Sequence, residues 1–121
     1  MIARLMGLET ISPRELHGLL KERKAAVIDV NSPQSWAQAR VPGAVNLDPV
    51  AYGAADLPSD RSALLVFYCS NPWCRKAPNA ARRAGSLGYT DVRVMSAGIS
   101  GWLSAKLPVE SGAGRVERPP E

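Results

Sequence analysis

The stretch Ala63–Tyr89, ALLVFYCSNPWCRKAPNAARRAGSLGY, contains the features that decide the fold. It begins with the most apolar run of the chain, Ala63–Cys69, which predicts a buried central strand. After a polar loop, the alanine-rich segment 75–89 predicts a helix that ends near Gly85–Gly88. Pro78 falls in the first turn of that helix, where a proline leaves no hydrogen bond unmade. A strand, a loop and a helix in this order are typical of an α/β domain.

Helices and strands also alternate in the segments that flank this stretch. Ser12, Pro13 and Glu15 predict a capped helix start, and short helices are predicted after Ser32 and around Trp102. The predicted strands, in chain order, are Ala25–Val30, Val45–Leu47, Ala63–Cys69 and Asp91–Met95. This pattern predicts an α/β domain with a mostly parallel sheet over residues 1–110. The polar, Gly- and Pro-rich residues 111–121 are predicted to form a flexible tail.

Size and composition exclude several classes of protein. The 121 residues, 45% hydrophobic and 21% charged, suit one globular domain with its own core. No apolar run approaches the ~18 residues of a membrane span, and the start MIARLMGLETI lacks the apolar centre of a signal peptide, so a cytoplasmic protein is predicted. The net charge is +4, but the basic residues are scattered, which argues against nucleic-acid binding. Two cysteines and the distant His17 predict no metal site, and no cofactor is expected.

The loop after the central strand is the predicted site. In parallel sheets ligands bind at the carboxyl ends of strands, beside the following helix, and Cys69 lies at that point. Its thiol is the predicted nucleophile, because loop amides, the helix dipole and Arg75 are expected to lower its pKa. Arg75 and Lys76 are expected to attract a small anion, and Trp73 to form an apolar rim or to contact a partner. The predicted substrate-binding residues are Ser70, Asn71, Trp73, Cys74, Arg75 and Lys76.

Each cysteine also has a plainer interpretation. Cys69 can be a buried filler of the core, as free cysteines often are. Cys74 either packs against the helix or attacks an oxidised or persulfidated Cys69 as a resolving thiol. The sequence leaves both roles of Cys74 open.

The order of motifs resembles that of single-domain rhodaneses, which are thiosulfate or polysulfide sulfurtransferases. The resemblance covers roughly residues 10–110 and rests on Asp29–Val30, on Pro42–Asn46, on Cys69 at the nucleophile position, and on Gly98 and Trp102. It implies a three-layer rhodanese-like domain, with a mostly parallel five-stranded sheet and helices on both faces. It also implies a small anionic sulfur donor, a thiol or cyanide acceptor, a protein persulfide as a further partner, and a persulfide on Cys69.

The chain departs from the family pattern around the site. Asn31 stands where family members usually have Arg, and Arg40 precedes Val41 where they usually have His. The resemblance implies that Asp29, Asn31 and Arg40 support the site, with Asp29 organising hydrogen bonds. The spacing from Cys69 to Arg75 is C-x5-R, one residue longer than in most rhodaneses.

Two alternative functions follow from the longer loop and the second cysteine. The C-x5-R spacing resembles that of rhodanese-fold phosphatases and arsenate reductases, whose pocket holds a larger oxyanion. Those relatives usually have His where this chain has Tyr68, and Pro72 removes one amide donor from the loop. The other alternative is a non-catalytic binding or redox-sensing module, in which Cys69 and Cys74 form a disulfide.

Overall fold

The computed structural model describes Ala3 and residues 7–112 of the chain. The strands are β1 (Glu9–Thr10), β2 (Ala26–Asp29), β3 (Val45–Asn46), β4 (Leu64–Tyr68) and β5 (Asp91–Val94). The helices are α1 (Pro13–Lys21), α2 (Pro33–Gln38), α3 (Lys76–Ser86) and α4 (Gly98–Ser104), with a 3-10 turn at Ala54–Asp56. The five strands are all parallel, in the order β1-β5-β4-β2-β3. None of the helices among the described residues is long and apolar enough to cross a membrane.

The predicted helix starts are confirmed by their caps. Ser12 Oγ accepts the N–H of Glu15 at 3.1 Å, and Glu15 Oε1 accepts the N–H of Ser12 at 2.9 Å. This reciprocal pair satisfies two amides that the first turn of α1 leaves without helical partners. Ser32 caps α2 without such a return bond, its Oγ accepting the N–H of Ser35 at 3.2 Å.

The sheet is buried on both faces, which confirms the three-layer α/β architecture. Side chains of the central strand β4 alternate between two apolar clusters. Leu65 and Phe67 pack on the first face, against the alanines of α3. Val66 and Tyr68 pack on the second face, in a cluster that includes Leu16 of α1 and Trp102 of α4. Leu65, Val66, Phe67 and Tyr68 have no exposed surface at all.

One edge strand was not predicted from the hydrophobic pattern. Glu9 and Thr10 form β1, pairing with Arg93 and Val94 of β5. Two residues, the first of them exposed, are too few to show the alternation that marks a strand. With β1 the sheet has five strands, as the resemblance implied. Of the predicted tail 111–121, residues 113–121 lie outside the described part of the chain.

The register between β2 and β4 brings the predicted site residues to the same edge of the sheet. Asp29, the last residue of β2, pairs with Tyr68, the last residue of β4. Both carboxyl ends therefore lie side by side at one edge of the sheet. Cys69 is the next residue, and the loop after it leads into α3.

Candidate active site

Cys69 lies at the bottom of the loop and Cys74 at its lip. Cys69 is 3% exposed and belongs to the apolar cluster under α3, whereas Cys74 is half-buried and packs against the same cluster. Asn71 shapes the loop between them, because its Oδ1 accepts the N–H of Trp73 at 2.9 Å and its carbonyl accepts the N–H of Cys74 at 3.2 Å. Both cysteines are free thiols.

The start of α4 holds the loop by its main chain. Ile99 N–H donates to the carbonyl of Cys69 at 2.9 Å, and Ser100 N–H donates to the carbonyl of Ser70 at 3.1 Å. In a planar trans peptide the C=O and N–H point in opposite directions, and the described residues contain no cis peptide. The amides of Ser70 and Asn71 are therefore turned away from α4.

A glycine makes this close approach possible. Gly98 has φ +68°, a conformation that residues with a side chain rarely adopt. A Cβ on Gly98 would lie 2.5 Å from the carbonyl carbon of Ser70 and 2.6 Å from the nitrogen of Asn71. Any larger residue at this position would push the loop away from α4.

Backbone amides converge on the two sulfur atoms. The N–H groups of Ala77 and Ser70 donate to Cys69, and those of Lys76 and Ser70 donate to Cys74. The two thiols are also hydrogen-bonded to each other. The strand end, the loop and the first turn of α3 thus form a cradle for one negative charge shared between two sulfurs.

The structure reverses the predicted direction of the Cys69 pKa. Burial and, to a smaller extent, the hydrogen bond with Cys74 raise the pKa of Cys69 to about 12, and the amides of Ala77 and Ser70 offset only part of this rise. Burial also acts to raise the pKa of Cys74. There the hydrogen bond from Cys69, the amides and the charge of Lys76 outweigh it, so the pKa of Cys74 is lowered. The pair therefore loses its first proton from Cys74, and Cys69 donates a hydrogen bond to the resulting thiolate.

The charged and aromatic side chains of the loop face solvent. Trp73 is 69% exposed. Arg75 and Lys76 are exposed as well, and no described residue pairs with the guanidinium of Arg75. Lys76 also lines a cavity of about 200 Å³ beside Asn31. Positive charge is thus available to an anion at the mouth of the loop.

Asp29 is completely buried next to the site and acts through Tyr68. Its Oδ2 accepts the hydroxyl of Tyr68 at 2.7 Å and its Oδ1 accepts the N–H of Asn31 at 2.8 Å. The hydroxyl of Tyr68 in turn accepts the N–H of Val41 at 3.0 Å. Burial raises the pKa of Asp29, although these donors act to lower it. The carboxylate organises hydrogen bonds and makes no contact with the loop sulfurs.

Asn31 reaches the loop, whereas Arg40 has other partners. Asn31 Oδ1 accepts the hydroxyl of Ser70 at 2.8 Å, which ties the end of β2 to the site. The guanidinium of Arg40 stacks on Trp36 at 3.9 Å and donates to the carbonyl of Gly112 at 2.9 Å. These contacts hold the C-terminal segment rather than the residues of the loop.

Sequence reasoning overlooked the parts of the site that belong to the main chain. The amides of Ala77, Ile99 and Ser100 carry no sequence signal, because every residue except proline has one. Gly98 was part of the family pattern, but its contact with the loop is visible only in three dimensions. No three His, Cys, Asp or Glu side chains are grouped to hold a metal ion within Ala3 and residues 7–112.

Comparison with known proteins agrees with this geometry. A human thiosulfate:glutathione sulfurtransferase is 31% identical over 82% of this chain and 96% of its own length. An HTH-type transcriptional regulator of Mycobacterium tuberculosis is 36% identical over 78% of this chain, but the match spans only 43% of that regulator. The crystal structure of a thiosulfate sulfurtransferase from Pseudomonas aeruginosa superposes with a TM-score of 0.78 at 26% identity. That superposition covers 93% of this chain and 21% of the other.

The family model of the rhodanese-like domain matches residues 12–105, from the cap of α1 to the residue after α4. This range includes both cysteines, the loop between them and Gly98. The chain therefore belongs to the rhodanese-like domain family.

Proposed function

We propose that the protein is a sulfurtransferase, which takes a sulfane sulfur from thiosulfate or a persulfide donor and carries it as a persulfide on Cys69. A thiophilic acceptor, such as a thiol or cyanide, then removes the sulfur. The observation that carries this proposal is the cradle of amides from Ser70 and Ala77 around the thiol at the end of β4. Family membership and the sulfurtransferases among the relatives support it.

The first step needs a thiolate on Cys69. The buried thiol of Cys69 is hydrogen-bonded to Cys74, the more acidic member of the pair. Transfer of the Cys69 proton to the Cys74 thiolate generates the nucleophile without placing a second charge in the site. The Cys69 thiolate attacks the outer sulfur of thiosulfate, and sulfite leaves with the electron pair of the broken S–S bond. The amides of Ser70 and Ala77 then stabilise the charge of the persulfide.

The mouth of the loop suits an anionic donor. Arg75 has no partner among the described residues, so its guanidinium is free to bind the sulfonate oxygens in bidentate fashion. Lys76 adds a second positive charge, and Trp73 adds an apolar wall. These three side chains are the proposed contacts of the donor, and their residues lie within two positions of Cys74 in the sequence.

The C-x5-R spacing favours phosphoryl or arsenate chemistry as a second candidate. The additional residue allows Cys74 to lie beside Cys69, and the space lined by these thiols and Asn71 does not admit a water molecule. A sulfur atom is larger than a water molecule, so Cys74 must also move for persulfide formation. What disfavours the second candidate is Pro72, which contributes no amide to the loop, together with Tyr68 where rhodanese-fold phosphatases usually have His.

One pair of assays distinguishes these functions. Thiocyanate formation from thiosulfate and cyanide is measured beside hydrolysis of p-nitrophenyl phosphate, with the wild type and with Cys69→Ser. We expect thiocyanate formation by the wild type only, and phosphate hydrolysis by neither protein. Thermal melting of Cys69→Ser checks that the variant is folded. Undiminished transfer by Cys69→Ser would contradict the assignment, and phosphate hydrolysis alone would support the second candidate. A loss of about 2 Da without transfer would support the redox module.

A further inference from the structure

The second thiol of the loop has a place that packing alone does not explain. Cys74 lines the same enclosed space as Cys69. Both sulfurs are hydrogen-bonded to each other and share the amide of Ser70. A cysteine that only fills space would lack such polar partners. Cys74 is also half-buried, so it can move without opening the core.

Building on the proposed function, we propose that Cys74 resolves the Cys69 persulfide: it attacks Cys69 Sγ, expels the sulfane sulfur as hydrosulfide and leaves a Cys69–Cys74 disulfide. The protein is thereby a reductase of sulfane sulfur, in addition to a carrier of it. A dithiol reductant then returns the disulfide to two thiols.

The step balances without an external oxidant. The bond between Cys69 Sγ and the outer sulfur breaks, and the outer sulfur leaves as HS⁻ with the bonding electron pair. The new bond joins Cys69 Sγ to Cys74 Sγ. The sulfane sulfur gains two electrons, and each cysteine sulfur loses one. A proton from solvent or from the protonated persulfide accompanies the leaving sulfur.

The geometry favours attack on the inner sulfur. Cys74 is already in hydrogen-bonding contact with Cys69 Sγ, the atom to which the outer sulfur is added. Cys74 is also the thiol with the lowered pKa, so it supplies the thiolate that exchange requires. The nucleophile therefore lies within one short movement of its target.

The loop can provide the remaining movement. A disulfide needs an S–S distance of about 2.05 Å, shorter than any hydrogen-bonding contact. Asn71 and Trp73 are exposed, and the main-chain bond from Cys74 to Asn71 closes a local turn. The contacts from α4 hold Cys69 and Ser70, not Cys74. Cys74 can thus approach while the first cysteine stays in place.

A single-turnover experiment tests the inference. The reduced and desalted full chain receives one equivalent of thiosulfate without any acceptor, and hydrosulfide is trapped with monobromobimane. For the wild type we expect about one hydrosulfide per chain and a mass about 2 Da below that of the dithiol. For Cys74→Ser we expect no hydrosulfide and a lasting gain of about 32 Da on Cys69. Cys74→Ser should also form thiocyanate when cyanide is added, but more slowly than the wild type, because it lacks the thiolate that accepts the Cys69 proton.

Each other result has a distinct meaning. A wild type that keeps the additional sulfur on Cys69 and releases no hydrosulfide overturns the inference but leaves the proposed sulfurtransferase intact. Additional sulfur on Cys74 overturns it too, because Cys74 would then have attacked the outer atom. If neither thiocyanate nor a mass gain appears in any variant, the proposed function itself fails. The wild-type measurement decides the inference even if Cys74→Ser does not fold.

Discussion

Tyr68 lies one residue before the reactive thiol, and its hydroxyl joins three segments of the chain. It donates to Asp29 and accepts from the amide of Val41, and all three groups are buried. Removing it would leave a buried carboxylate oxygen and a buried N–H without these partners. Each such group costs about 1–3 kcal/mol.

Tyr68→Phe should therefore destabilise the fold more at neutral pH than at acidic pH. The folded-state pKa of Asp29 is raised by burial, so its protonated form favours folding, and stability is lost as pH rises through that pKa. Losing the Tyr68 donor raises the pKa of Asp29 further and enlarges this loss. Urea unfolding near pH 4 and near pH 7 measures the difference.

Tyr52→Phe is the matched control for this effect. The hydroxyl of Tyr52 is buried as well, but it donates to the carbonyl of Ala80 and not to a carboxylate. Its loss should cost about the same at both pH values. Equal losses for Tyr68→Phe at the two pH values would show that Asp29 is not coupled to Tyr68.

Arg75→Ala should raise the KM for thiosulfate with little change in kcat. Charge-assisted hydrogen bonds contribute about 1.5–3 kcal/mol, so a rise of about tenfold or more is expected if the guanidinium holds the donor before and during reaction alike. Arg82→Ala removes the same charge from the exposed side of α3 and should leave the KM within about twofold. An equal rise in the KM for both variants would show that Arg75 acts only through the general positive charge of the protein surface.

The pKa of Cys69 shows where sequence reasoning fails at this scale. A helix start and a neighbouring arginine are visible in the sequence, and both act to lower a thiol pKa. The depth of burial is not visible, since it depends on how Cys74 and the start of α3 cover the strand end. Burial outweighs the other influences at Cys69, and the acidic thiol is its neighbour. The sequence shows that both thiols belong to one loop, but not how acidity is divided between them.

At the scale of elements, α4 positions the loop and Gly98 permits the contact. Gly98→Ala should lower transfer by about 100-fold, because a displaced nucleophile loses the geometry of attack. It should also cost about 1–3 kcal/mol of stability from backbone strain. Thiocyanate formation and thermal melting measure the two effects.

Gly18→Ala is the matched control, since a Cβ at Gly18 of α1 meets no atom within 4 Å. It should stabilise the fold by about 0.5–1 kcal/mol and leave transfer unchanged. Full transfer activity in Gly98→Ala would show that the loop does not depend on its distance from α4.

The elements were predictable to the extent that their signals are local. The cap of α1 and the buried strand β4 depend on residues near in sequence, and both were predicted. Strand β1 becomes a strand only by pairing with β5, about eighty residues later. Its two residues carry no pattern of their own. A strand of this kind can be found from the fold but not from hydrophobic periodicity.

At the scale of the whole molecule, Arg40, which lies between α2 and β3, binds the C-terminal segment. Its backbone pairs with Glu110 in an antiparallel bridge, and its guanidinium faces the carboxylate of Glu110 at 3.8 Å. Nη1 donates to the carbonyls of Trp36 and Gly112. Arg40 is only 8% exposed, so these contacts are largely shielded from water.

Arg40→Ala should therefore lower stability and leave sulfur transfer unchanged. A loss of about 1–3 kcal/mol is expected, as for other buried charged networks that lose one member. Arg14→Ala is the control, because Arg14 is exposed and makes one long bond of 3.5 Å to the carbonyl of Ala105. Chemical denaturation and steady-state kinetics separate the two effects. A changed kcat for Arg40→Ala at unchanged stability would place Arg40 in the catalytic network.

The contacts between α4 and the loop have a consequence for how freely the loop can vary. Ile99 and Ser100 bind carbonyl oxygens, which every amino acid supplies. These hydrogen bonds require a glycine at position 98, but they require no particular side chain at residues 70–73. Substitutions at these positions can thus alter which donors and acceptors react, while the scaffold that presents the thiol is inherited without change. A library randomised at Trp73, whose side chain is 69% exposed, should accordingly yield folded proteins with diverse substrate preferences.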